Sequence, residues 1–232
     1  MNIEELIKIV QPYTMASPER LRWKAETAER IIREGIPGDF VECGVWNGGS
    51  GAIQAHYAIP AGRAVHLFDS WQGMPKPSLN DIPSAGGVTS ESEIGKCVGQ
   101  PEKVWEIIKL VGVDVCGGTT LWNGWFHETF PAASKSIHQI AMLNLDSDWY
   151  ESEMLCWAAW YDKVVPGGFI YIDDFFYWPG CQKAAKQFFH NRDESVVFHK
   201  IGHSAWVRKG DKSFAGNGVW IQGDKTFVLE TK

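Results

Sequence analysis

The chain has 232 residues, 44% hydrophobic and 22% charged, with a formal net charge of −6. That composition allows a core of domain size, makes disorder the wrong default, and offers no basic face for a nucleic-acid backbone. No apolar run approaches the ~20 residues needed to span a bilayer, so neither nucleic acid nor membrane is an expected partner.

In chain order, "MNIEELIKIVQPY" reads as a short amphipathic helix with acidic residues, not a basic-then-apolar leader. "TMASPERLRWKAETAERIIREG" predicts a second helix, with Ser17 as cap, Pro18 at the first helical position and Gly35 as stop. Leu21, Ala25, Ala28 and Ile32 would share its apolar face. "IPGDFVECG" is a turn and a short strand, "GGSGAIQAHYAI" opens a helix, and "RAVHLFD" is a second strand. Residues 75–100 are rich in Pro, Gly and Ser and lack periodicity, which predicts a mobile lid loop. "PEKVWEIIKLVG" returns to helix, "TTLWN" and "IAMLNLD" are strands, and "YESEMLCWAAWYDKVV" is a helix. "GGFIYID" is a further strand, "GCQKAAKQFFHN" a helix, and "SVVFHKIGHSAWVRK" a closing antiparallel hairpin.

Strands alternating with helices define an α/β fold with a mainly parallel sheet, whose ligands sit beyond the carboxyl ends of the strands. The expected organisation is an N-terminal helical cap (1–36), one α/β domain (37–209) and an appended β-hairpin tail (210–232). The tail reads as edge cover or as a homo-oligomer contact. Cys43, Cys97, Cys116, Cys156 and Cys181 show neither CxxC nor zinc spacing. Free thiols in a reducing compartment follow, and with them a cytoplasmic location. Of the twelve Trp, six fall beside strand ends: Trp46, Trp71, Trp122, Trp125, Trp149 and Trp178.

The first strand ends in "DFVECGVWNGGSG", a strand, a glycine turn and a helix N-terminus. A dinucleotide site wants GxGxxG. Here Trp46 stands where the second glycine would be, and obstructs close approach of a pyrophosphate. S-adenosylmethionine (SAM) has no phosphates and needs only an acid, a glycine turn and a carboxylate after the second strand. Glu42, Gly44 and Asp69 meet that need.

"YTMASPERL", "GIPGDFVECGVWNGGS", "FDSWQGMP", "GWFHETFP", "LDSDWYES", "VVPGGFIYIDDF" and "PGCQKAAKQF" occur in order across residues 13–186. Together they resemble the macrocin O-methyltransferase family, the TylF-type SAM-dependent sugar O-methyltransferases. The resemblance implies a Rossmann-like SAM-dependent methyltransferase fold, a mainly parallel sheet with a C-terminal antiparallel hairpin. It implies that Thr14 and Met15 lie over the cofactor, and that Glu42, Cys43, Gly44, Val45 and Trp46 hold its amino-acid end. Asp69 and Ser70 would meet the ribose, and Gly124 and Trp125 the adenine side. The family's usual Asp-Thr-Leu-Pro is Glu128-Thr129-Phe130-Pro131 here, and its Asp-Gly-Asp is Asp146-Ser147-Asp148.

Neighbouring fourth and fifth strands would bring Asp146 close to Asp173 and Asp174. Crowded carboxylates raise one another's pKa, and a divalent cation relieves the repulsion. Oxygen-only ligands select a hard ion, Mg²⁺, for this trio. Asp148 reads as a helix cap. Methyl transfer to a hydroxyl needs a base: Asp146 is nominated, with His127 as runner-up. The reading is therefore Mg²⁺-dependent methylation of a small hydroxylated acceptor, a sugar or sugar-bearing natural product. The alternatives are a catechol-like phenol O-methyltransferase and a non-catalytic SAM-binding protein.

Overall fold

A computed structural model describes residues 1–82, 90–114, 117–192, 196–211, 219–222 and 227–229. The chain opens with α1 (Ile3–Val10) and α2 (Pro18–Glu34), followed by β1 (Asp39–Cys43), α3 (Gly49–Ala58) and β2 (Val65–Asp69). Next come α4 (Pro101–Leu110), β3 (Thr119–Asn123), α5 (Phe126–Ala133), β4 (Ile140–Leu145) and α6 (Tyr150–Trp160). Then follow β5 (Val164–Ile172), α7 (Pro179–His190), β6 (Val196–Ile201), β7 (Ser204–Arg208), β8 (Val219–Gln222) and β9 (Phe227–Leu229).

Local signals set the helix ends. Ser17 Oγ accepts from Arg20 N, Pro18 opens α2, and Gly35 closes it at φ 66°. Leu21, Ala25, Ala28 and Ile31 on this helix are fully buried, the leucine and isoleucine contributing roughly 1.5–3 kcal/mol each. Ile32 is only partly buried, and Lys24 is fully buried on the same face.

The strands form one sheet in the order β3-β2-β1-β4-β5-β7-β6-β8-β9. β3, β2, β1, β4 and β5 are mutually parallel, and β7 runs antiparallel to both β5 and β6. The expected closing hairpin is β6–β7, with β7 inserted between β5 and β6 rather than added at the edge. β8 pairs parallel with β6 and antiparallel with β9. One apolar core joins α1–α4 to one face of the sheet, and a second joins α5–α7 to the other. Among the described residues no helix is long and apolar enough to cross a membrane.

The strand order reverses between β1 and β4, which is where an open α/β sheet offers its ligand crevice. The register fixes the crevice floor. Cys43, Phe68, Leu145 and Ile172 lie in one row across β2, β1, β4 and β5. The residue following each of them is Gly44, Asp69, Asp146 or Asp173.

Candidate active site

Gly44 turns the chain out of β1 at φ 88°, and its amide donates to Phe68 O. A Cβ at Gly44 would lie 1.7 Å from Asp146 O, so only glycine lets the two strand ends meet. The loop then wraps Asp69: Val45 N and Trp46 N each donate to its Oδ2 at 2.8 Å, and Trp71 N donates to Oδ1 at 2.7 Å. Trp46 adopts φ 50°, and its carbonyl accepts from Trp71 Nε1 at 2.8 Å. Asp69 thus holds the glycine turn with two backbone bonds and its own following loop with a third, a role beyond the ribose contact expected of it. Gly49 packs so closely on Val10 O and Thr14 that a Cβ would sit 2.7 Å from the carbonyl. This contact fixes the segment that carries Thr14 and Met15 over the loop.

Glu42 projects beneath the turn and is 1% exposed. Its Oε2 accepts from Gln54 Nε2 at 3.1 Å, while the buried Oε1 has no hydrogen-bond partner within the protein. Burial pushes its pKa up, opposed by the Lys24 charge and by Ser50 and Asn144. Lys24 Nζ donates to Ser50 Oγ at 2.8 Å and sits 4.4 Å from the centre of the Tyr171 ring. A buried cation behind a buried acid was not expected of an exposed-looking helix residue.

The acids gather at the ends of β4 and β5. Asp146 N donates to Cys43 O and Asp173 N to Leu145 O, both at 2.8 Å, continuing the ladder one residue past the strands. Asp146, Asp148 and Asp174 each bring a carboxylate oxygen within 4.8 Å of the others. Asp148 reaches the group because it adopts φ 59°, turning back toward β5. Burial, then the neighbouring Asp173, Asp148 and Asp174, push Asp146 well above the usual carboxylate range, with Lys24 working against them. Burial and Asp174 do the same to Asp148. Burial and Asp173 raise Asp174 to about 6.

Two expectations meet a different geometry here. Asp173 is not in the tight trio, because Arg20 Nη1 from α2 donates to its Oδ2 at 2.7 Å and Ser204 Oγ lies 3.5 Å from its Oδ1. Nor does Asp148 cap α6. That duty falls to Asp81, fully buried, whose Oδ1 accepts from Tyr150 N at 2.7 Å while Oδ2 accepts from Ser78 N and Ser78 Oγ. Trp149 Nε1 donates to Pro75 O at 2.9 Å, and Lys183 Nζ donates to Asn80 Oδ1. Residues 75–81 are therefore stapled to α6 and α7, contrary to a wholly mobile loop. Of the rest of the expected lid, residues 83–89 lie outside the described residues, whereas 95–96 pair with Met74, Gly95 N donating to Met74 O at 2.9 Å and Met74 N to Lys96 O at 2.8 Å. "SLND" (78–81) closes its own capping box through Asp81 Oδ2, and the other oxygen of Asp81 caps a helix that begins 69 residues away.

These parts enclose a cavity of about 660 Å³. Thr14, Met15, Glu42, Gly44, Val45, Trp46, Asp69, Ser70, Gly124 and Trp125 line it, as do Asp146, Asp148, Asp173 and Asp174. Cys43 is the exception. Its side chain faces the opposite side of β1, fully buried with Phe68, Leu145 and Cys156, and can touch no ligand in the cavity. His127 lies on the first turn of α5, 67% exposed and 4.0 Å from Glu128, outside the acid group. Of the six Trp near strand ends, Trp46, Trp125 and Trp178 line the cavity. Trp71 and Trp149 brace its walls, and Trp122 stacks on Phe68.

A Rossmann-like sheet with a glycine turn at the switch point offers a crevice for a nucleoside-type cofactor, with an acid row beside it. The chain belongs to the macrocin O-methyltransferase (TylF) family, which it matches over residues 9–209. It is 30% identical over 209 residues to demethyldecarbamoylnovobiocin O-methyltransferase of Streptomyces niveus, covering 82% of this chain and 74% of that one. It is 29% identical over 197 residues to mycinamicin III 3''-O-methyltransferase of Micromonospora griseorubida, with the same shares covered. The solved structure of the O-methyltransferase NovP superposes with a TM-score of 0.70 at 26% identity, covering 85% of this chain and 82% of that one. The chain is accordingly a SAM-dependent O-methyltransferase.

Proposed function

We propose that this enzyme transfers the methyl group of SAM to a hydroxyl of a sugar or sugar-bearing natural product. In this reading Asp146 is the general base, and Mg²⁺ is held by Asp146, Asp148 and Asp174. One observation carries it: Asp146 touches the cofactor turn through Gly44 and shares the acid trio through its carboxylate.

The residues present fit both groups. Glu42 keeps an unpartnered buried oxygen at the cavity wall, an acceptor suited to the ammonium of the cofactor's methionine half. Three crowded oxygen donors with raised pKa values suit a hard divalent ion. When bound, SAM supplies the methyl group, and Mg²⁺ supplies the Lewis-acid effect that makes an alcohol easier to deprotonate. The chain does the rest. Asp146 takes the hydroxyl proton as the new O–CH₃ bond forms and the S–CH₃ bond breaks, leaving S-adenosylhomocysteine (SAH). Burial and like-charge repulsion raise the Asp146 pKa in the metal-free protein; a divalent ion bound to the trio would relieve the repulsion and favour the ionised form that can accept the proton. Trp125, Phe126, Tyr177 and Trp178 give the wall beside the acids an apolar face. Free thiols at Cys43, Cys97, Cys156 and Cys181 support the cytoplasmic reading.

Thermal unfolding with SAM, SAH or NAD, each with Mg²⁺ or EDTA, tests the cofactor. A ligand at ~100 times its dissociation constant adds about 2.7 kcal/mol, and the midpoint should rise by roughly 5–10 °C with SAM and SAH but not with NAD. A shift with NAD alone would overturn the reading.

The metal ligands are tested separately, by Mn²⁺ titration followed by electron paramagnetic resonance. Asp148→Asn should weaken binding about tenfold or more, and Asp173→Asn by no more than about threefold, because Arg20 already engages that carboxylate. The opposite order would return the third ligand to Asp173.

A further inference from the structure

We infer that Lys24 is a positioning residue for the cofactor: through Ser50 it supplies the buried countercharge that lets Glu42 meet the cofactor's ammonium as a carboxylate. This rests on the reading of Glu42 as the ammonium acceptor given above, and deepens it. Lys24 itself is fully buried behind the cavity wall, which Glu42 and Ser50 line.

The geometry is the first ground. Glu42 pairs with Asn144 on β4, and Asn144 with Tyr171 on β5, so the three side chains share one face of the sheet. Helices α2 and α3 close over that face. Lys24 on α2 donates from Nζ to Ser50 Oγ at 2.8 Å and lies 4.4 Å from the centre of the Tyr171 ring. Ser50 on α3 also accepts from Asn144 Nδ2 at 3.3 Å, and Gln54, one turn further on, donates to Glu42 Oε2. Two donors on Ser50 Oγ leave its own proton for an acceptor, and Glu42 is the carboxylate beside it. Gly51 brings α3 so close that a Cβ there would lie 3.0 Å from Glu42 Oε2.

The balance of charge is the second ground. Among the described residues Lys24 is the only buried Lys or Arg. A buried charge costs folding free energy, and an apolar side chain of similar length would pack on Tyr171 without that cost. Its surroundings are not a closed network either. Glu42 Oε1, Gln54 Oε1 and Asn144 Oδ1 are all buried with no hydrogen-bond partner within the protein. Burial disfavours the Glu42 carboxylate; Lys24 opposes this most, then Ser50 and Asn144, while Asp173 on β5 works against them. An ionised Glu42 makes a charge-assisted bond to an ammonium, roughly twice as strong as a neutral one. Lys24 repels the same ammonium, but from behind Ser50, and Coulomb energy falls with distance. Loss of the charged acceptor therefore outweighs relief of the repulsion.

Calorimetric titration of the enzyme with three ligands tests this. They are SAH, its decarboxylated analogue, which keeps the amine, and methylthioadenosine, which has neither amine nor carboxylate. In Lys24→Met, SAH and the decarboxylated analogue should each bind about tenfold more weakly or worse, and methylthioadenosine within about threefold of wild type. In a Glu42→Gln background the same change should move SAH affinity by less than about threefold, since no carboxylate is left to hold. Equal loss for all three ligands would make Lys24 merely structural, and a loss confined to SAH would set it against the cofactor's carboxylate. Either result, unchanged SAH affinity, or an undiminished effect in Glu42→Gln would overturn the inference. Wild-type enzyme that binds methylthioadenosine as tightly as SAH would instead sink the Glu42–ammonium contact on which the inference rests, so the two failures are distinct.

Discussion

Asp146→Asn is expected to abolish methyl transfer, by about 10³-fold or more, while leaving SAH bound and the fold at least as stable. Three consequences follow from the same geometry. The base is lost, because an amide cannot accept the hydroxyl proton at neutral pH. One of the three oxygen donors of the acid trio is weakened, since the amide brings a neutral oxygen in place of a charged one. The cofactor turn is retained, because it meets Asp146 through the backbone, and Asp146 N still donates to Cys43 O. The stability direction comes from linkage. Asp146 has its pKa raised in the folded protein by burial and by three neighbouring carboxylates. Ionised, it therefore costs folding free energy, a cost that grows as pH rises from the unfolded-state value through the folded one. Asparagine removes that cost, so the metal-free variant should melt at or above the wild-type midpoint at pH 8. Activity and calorimetry on one preparation decide the matter. Near-normal turnover would end the case for Asp146 as base, and a large fall in midpoint would make the lost activity a folding effect.

How much of this could be read in the sequence depended on whether the signal was local. Ser17, Pro18 and Gly35 bound α2 because cap chemistry acts within a turn or two. The acid after an apolar run placed Asp146 and Asp173 at strand ends, and the parallel register then aligned them. Strand alternation was also present but unused: Glu42 and Gly44 face the cavity, so Cys43 between them must face the core. The remaining features depend on partners far along the chain. Arg20 reaches Asp173 across 153 residues, and Asp81 reaches Tyr150 across 69. Lys24 looks like a solvated helix residue until Ser50 and Tyr171 close around it. Asp148 enters the trio only through a left-handed backbone, a conformation that its residue type tolerates but does not announce.

Gly44→Ala is expected to cost about 4 kcal/mol of stability and to lose SAH binding in the fraction that folds. The left-handed φ of 88° contributes about 1–2 kcal/mol once a Cβ is present. The Cβ would lie 1.7 Å from Asp146 O, so β1 and β4 must part at their ends. The bonds from Gly44 N to Phe68 O and from Asp146 N to Cys43 O are then strained or broken, at about 1 kcal/mol each. At this chain length the midpoint should fall by roughly 8–16 °C. Gly62→Ala is the internal control. Gly62 has a similar φ of 71° but nothing within 4 Å of where its Cβ would be, so it should cost only the conformational part. Urea denaturation of the two variants separates the effects. If they lose the same stability, the close approach of β1 to Asp146 contributes nothing, and Gly44 is needed only for its turn. If Gly44→Ala alone falls by the larger amount, the contact that joins the cofactor loop to the proposed base is also what holds the two strand ends together.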